Sequence, residues 1–172
     1  KGKDAKKREV IKGDKFENAY AEKAFSLFTW LYVDNMAYNY GKWKHVLTKG
    51  NWLPHSPFYD AKTSASGESN EPTEENHCPS LLIDPTYNNL YMWMSTKAGG
   101  AEHILLSDFP IRKWFSIALV IRNSSCDLYM NGKIKQSKPL PSLPKLNNGD
   151  LIVNAGGGFQ GNLAGLSYFV FP

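Results

Sequence analysis

Apolar and polar residues alternate with a period of two through most of this chain, and helical periodicity is nearly absent. Between Ala24 and Asp34, Phe25, Leu27, Leu31 and Val33 fall on one side of an extended strand, while Phe28, Trp30 and Tyr32 fall on the other. A strand that is apolar on both sides is a central one, covered on its second face by loops or by a partner. Residues 43–47 read as a short strand, and 80–83 and 90–94 as a pair around the turn formers at 84–89. Residues 102–107 follow, then a break at Asp108-Phe109-Pro110. From Trp114 to Arg122, the positions Phe115, Ile117, Leu119 and Ile121 form an inward face, and Trp114 reads as a core or edge aromatic at the strand entry.

The second half has its parts in a fixed order. Residues 126–130 form a strand that ends on Asn131-Gly132, a pair suited to the positive φ angles of a type I′ turn, and 133–136 answer it. A Pro-rich connection, a short strand at 151–153, the bend Gly158-Phe159-Gln160-Gly161 and a closing strand over 163–171 complete the chain. The count is about eleven short strands separated by turn signals, which predicts an all-β antiparallel sandwich. Phe115, Ile117, Leu119, Leu128, Phe159 and Tyr168 are the expected core cluster. Residues 60–77 stand apart: they contain no large apolar side chain and carry Glu68, Glu71, Glu74 and Glu75, so they read as a long polar loop.

At 172 residues, with 42% hydrophobic and 13% aromatic content, the chain is one ordered domain of comfortable size. No apolar run approaches the ~18 residues that cross a bilayer. The first residue is Lys1, which leaves room for an upstream targeting or anchoring segment. Charge refines the picture by its position. Lys1, Lys3, Lys6, Lys7, Arg8, Lys12 and Lys15, set against Asp4, Glu9 and Asp14, account for the whole net charge of +4. The expected organisation is a basic N-terminal arm at 1–15 and a sandwich at 16–172. Such an arm reads as a solvated segment, or as one that meets an anionic membrane surface through Lys1, Lys3, Lys6, Lys7 and Arg8. Specific nucleic-acid binding is not expected, because the body carries equal numbers of each sign.

Candidate chemistry is sparse. Glycosidases of sandwich folds need two facing carboxylates, but Glu71, Glu74 and Glu75 lie in the polar loop. Asp84, Glu102, Asp108, Asp127 and Asp150 stand singly near strand ends. The four histidines, His45, His55, His77 and His103, are scattered, and no nucleophile signature is present. No catalytic residue, cofactor or metal is expected. Asp84 with Asn88 or Asn89 reads as ordinary turn formers. Cys78 and Cys126 fit either one disulfide or two buried thiols, and the second is the favoured reading. Trp52, His55, Phe58 and Tyr59 are the candidate ligand-binding residues, since aromatics beside polar groups stack on pyranose faces. The competing reading has the same rings pinning the loop to the sandwich. Asn123-Ser124-Ser125 is an N-glycosylation sequon at a hairpin tip.

Six segments in order, GKWKHVLTKG (41–50), PSLLID (79–84), NLYMW (89–93), KWFSIAL (113–119), LYMNG (128–132) and GFQG (158–161), resemble a laminin G-like branch of the concanavalin A-like superfamily. The pattern is most similar to domains of large DNA viruses of algae and other protists, where they occur in virion-associated proteins. The resemblance implies a jelly-roll type β-sandwich that acts as a non-catalytic docking component of a virion, with other structural proteins as partners. The alternative it implies is a lectin-like module that reads glycans at a cell or particle surface. Either places the chain in a virion or outside a cell.

Overall fold

The computed structural model describes residues 2–16, 24–51 and 76–170. Within them lie twelve strands: β1 (Lys3–Asp4), β2 (Glu9–Ile11), β3 (Ala24–Val33), β4 (Lys44–Asn51), β5 (Asn76–Ile83), β6 (Leu90–Ser95), β7 (Ala101–Leu106), β8 (Trp114–Arg122), β9 (Ser125–Met130), β10 (Lys133–Pro139), β11 (Leu151–Val153) and β12 (Gly161–Val170). They form two six-stranded sheets, one in the order β1-β12-β3-β8-β9-β10 and the other in the order β2-β11-β4-β5-β6-β7. Every pairing is antiparallel. This is the all-β antiparallel sandwich that the alternation predicts, of the jelly-roll type that the resemblance implies.

The register explains why the pattern works. On β3, Phe25, Leu27 and Leu31 stand opposite Ile121, Leu119 and Phe115 of β8, so two apolar rows meet on one face. Leu81, Ile83, Leu90, Met92 and Met94 of the second sheet close over them, and all are buried. Phe115, Ile117, Leu119, Leu128 and Phe159 are fully buried in that cluster, with Tyr168 packed against it. Thr29 shares the inward row without breaking it, because its hydroxyl donates to the Ala164 carbonyl at 3.2 Å. The turn at Asn131 (φ 51°) and Gly132 (φ 74°) sets Tyr129 opposite Ile134, as a type I′ hairpin requires.

The basic segment, read as an arm ahead of the sandwich, takes part in the fold. Strand β1 pairs with β12 at the edge of the first sheet, and β2 pairs with β11 at the edge of the second. Between them Ala5 is buried; its N–H donates to the Gly161 carbonyl and its own carbonyl accepts from Phe159 N–H. Gly158 and Gly161 permit this close approach, since a Cβ at Gly158 would lie 2.0 Å from the Ala5 carbonyl oxygen and one at Gly161 1.9 Å from that of Tyr32. Residues 2–11 therefore act as a clasp joining the two sheets. The polar loop read as 60–77 is described from residue 76 onward, where β5 begins, and His77 is a buried strand residue.

Candidate functional site

The sequence-predicted ligand residues Trp52, His55, Phe58 and Tyr59 lie outside the described residues. Asn123 is exposed in the two-residue turn between β8 and β9, with φ 50°. What the described residues do bring together is an aromatic surface on the outer face of the first sheet. Position parity on β3 sends Phe28, Trp30 and Tyr32 to that face. Register then fixes their neighbours: Tyr32 lies between Trp114 and Asn162, Trp30 between Ser116 and Ala164, and Phe28 between Ala118 and Ser167.

Phe28 and Trp30 thus have small side chains on both flanks and stand proud of them, while Tyr32 is flanked by Trp114 and Asn162. Gly165 leaves further room beside Trp30, as a Cβ there would sit 3.3 Å from Trp30 Cδ1. Phe28 meets Trp30 edge-on at 6.1 Å between centroids, and Tyr32 meets Trp114 at 5.6 Å with a tilt of 45°. Gly2 rests against the tip of the Trp114 indole. The surface expected to be covered is open: Trp30 is 39% exposed and Trp114 44%, with Phe169 at 56% and Ile134 at 55% toward the margins. Trp114 is therefore a face residue rather than a core one. Its phase was readable, because it is out of step with the inward Phe115, Ile117 and Leu119.

The outer face of the second sheet differs. Thr48 and Ser80 are buried, and a polar chain runs through them. His45 Nδ1 accepts from the Ala155 backbone N–H at 2.9 Å, so its proton must reside on Nε2, which donates to Thr48 Oγ1 at 2.9 Å. The Thr48 and Ser80 hydroxyls are hydrogen-bonded to each other at 2.8 Å. Burial, with a smaller contribution from the Arg8 charge, pushes the His45 pKa down to about 3. Beside this chain Trp43, Tyr91, Trp93 and His103 form a row of contacting rings, Trp43 edge-on to Tyr91, Tyr91 stacked with Trp93, and Trp93 and His103 4.5 Å apart at a tilt.

Four of the described acids are held by structural contacts. Asp84 Oδ1 accepts from the backbone N–H of Thr86 and Tyr87, which makes it a turn former. Glu102 pairs with Lys138 at 2.7 Å, and Asp127 accepts from Ser137. Asp150 accepts from Lys12 Nζ and Gly13 N–H, contacts that hold its carboxyl below the usual range. Among the described residues no three His, Cys, Asp or Glu side chains converge as metal ligands. Cys78 and Cys126 are buried free thiols, and burial pushes both upward, Cys126 to about 12.

No protein-family model matches this chain, and no curated protein matches it in sequence. Its fold is similar to that of solved botulinum neurotoxin structures. The serotype D binding domain superposes with a TM-score of 0.64 at 13% identity over 90% of this chain. The binding domain of neurotoxin DC in complex with SialylT gives 0.59 at 14% over 94%, and the type G receptor-binding domain gives 0.55 at 14% over 86%. The chain spans about a third of those domains, at 35%, 35% and 34% of their lengths. At such identities the likeness shows a shared sandwich fold. The similar structures are binding domains rather than catalytic ones.

Proposed function

We propose that this chain is a non-catalytic recognition module of lectin type, and that the outer face of its first sheet binds glycan. The observation that carries the reading is the half-exposure of Trp30 and Trp114, with Tyr32 between them, on a rigid central part of the sheet. Exposed rings offer apolar faces to the C–H faces of pyranoses, while Asn162 and Ser167 supply polar groups alongside. Ordered strands hold the rings in place, so little side-chain entropy is lost on binding. Support also comes from the fold's similarity to receptor-binding domains, one of them solved with SialylT.

A second reading is favoured by Phe169 and Ile134, whose exposure adds apolar area that a sugar does not need. On it, the face docks against another protein of an assembly, of which a virion is the case implied by the sequence resemblance. A glycan array with the wild-type chain and the Trp30→Ala, Trp114→Ala and Trp52→Ala variants separates the readings. Specific binding lost in the first two variants, with the unfolding midpoint kept, is the expected result. Loss in Trp52→Ala alone would move the site to the loop beyond β4, and no binding by the wild type would leave the docking reading.

A further inference from the structure

One end of the sandwich gathers the connections 5–8, 34–43, 84–89, 107–113 and 154–160 with the Asn131-Gly132 turn. They brace one another. Gly41 N–H donates to the Pro85 carbonyl at 3.0 Å, Asp34 N–H to Gln160 at 2.9 Å, and Arg112 N–H to Val33 at 2.8 Å. The Asn88 side chain donates to the Phe109 carbonyl at 2.8 Å. Beneath them the buried Lys44 ammonium donates to the carbonyls of Lys42, Asp84 and Pro85, tying two of the loops to the strand below. From this braced rim two tyrosines project, Tyr40 at 67% exposure and Tyr87 at 68%, the most exposed of the large hydrophobic side chains among the described residues.

The same connections carry the cations Lys6, Lys7, Arg8, Lys42, Arg112 and Lys113. Of the acids at this end, Asp84 is taken up in its turn, Asp34 faces Arg112 at 3.7 Å and Asp108 is exposed, so cations remain in excess. Lys7, Arg8 and Lys113 form no ion pair with a described residue. Lys6, Lys7 and Arg8 sit on the clasp between the sheets, so their charge is held in position rather than carried on a loose arm.

We propose that this end docks on an anionic bilayer surface, with Tyr40 and Tyr87 seated at headgroup level and the flanking cations against the lipid charge. A planar target meets both tips and the cations around them together, and it needs no pocket. Tyrosine suits that depth because its ring is apolar and its hydroxyl stays wet. A nucleic-acid strand would instead require cations in a track across a face, and beyond residue 15 the chain's charges balance. Lys113 adjoins Trp114, but the residues changed in this test are not those of the glycan test, so its failure and that of the glycan reading are distinguishable.

The test is flotation with phosphatidylcholine vesicles, with and without phosphatidylserine. The chain should float only with phosphatidylserine present, and added salt should release it. Each cation near an anionic surface contributes about fivefold in affinity, so Lys7→Ala with Arg8→Ala should weaken binding about 25-fold. Tyr40→Ser with Tyr87→Ser should also weaken it, and neither pair should shift the unfolding midpoint, since all four side chains are exposed. Equal flotation with both vesicle types, or binding unchanged in both double variants, would overturn the proposal. So would binding to a sulfated oligosaccharide without binding to phosphatidylserine vesicles, which would assign the cations to a glycan.

Discussion

Acidification should destabilise this fold through His45 well before its carboxylates are protonated. The ring is buried, its Nδ1 is committed as an acceptor to the Ala155 N–H, and a proton there would set two donors against each other. The folded-state pKa of about 3 lies below the ordinary histidine value of 6.5. Below pH 6.5 the unfolded chain therefore binds a proton that the native state refuses. The stabilisation is complete above 6.5 and is lost as the pH falls toward 3. At about 1.4 kcal/mol per unit, the loss between pH 7 and pH 4 from this one group is roughly 3 kcal/mol. Urea unfolding at a series of pH values measures it directly. His45→Gln keeps an acceptor and a donor without a titrating proton, so the variant's stability should change less across that window by about the same amount. A wild-type stability that is flat from pH 6.5 to 4, or a slope identical in the variant, would refute the buried, neutral assignment. Asp150, whose folded pKa is also lowered, removes stability only at lower pH, as the pH falls through its own folded value.

Two further substitutions probe the packing. Leu119→Ala, at a fully buried position opposite Leu27 and Leu128, should cost about 2–5 kcal/mol in chemical denaturation, and a loss below about 0.5 kcal/mol would mean the β8 register is wrong. Gly158→Ala should cost roughly 2–4 kcal/mol, from a strained φ of 53° and a displaced Ala5 carbonyl that now accepts from Phe159, while Gly156→Ala, with open space around its Cβ, should cost less.

The apolar face of the core was legible because burial is recorded in the period of the sequence. Phe25, Leu27 and Leu31 announce both the strand and its inward side, and Asn131-Gly132 announces the turn. The same rule made Phe28, Trp30 and Tyr32 visible as a second apolar face, but it could not say whether anything lies over them. That depends on side chains from β8 and β12 more than eighty residues away in sequence, whose small size at Ser116, Ala118 and Ala164 leaves the rings proud. Trp114, readable as a core or an edge aromatic, is out of phase with Phe115, Ile117 and Leu119, and that phase places it on the outer face. Nor could composition place residues 2–11. Their lysines resemble a solvated arm, while the pairing of Lys3 and Asp4 with β12, and of Glu9 to Ile11 with β11, depends on backbone groups that composition does not record.

The clasp also changes how the basic segment should be tested. Deleting residues 1–15 would remove its cations, but it would also strip an edge strand from each sheet, expose the partners of Ala5 and release the Gly13 and Lys12 contacts to Asp150. Unpaired strand edges invite association with other chains, so a truncated protein could lose binding, or gain it, for reasons unrelated to charge. Point changes at Lys7 and Arg8 avoid this. Both side chains are exposed and form no ion pair with a described residue, while Lys7 is held through its backbone carbonyl, which accepts from Asn154. Charge and fold can be separated at these two positions, and that is why the surface reading is best judged there.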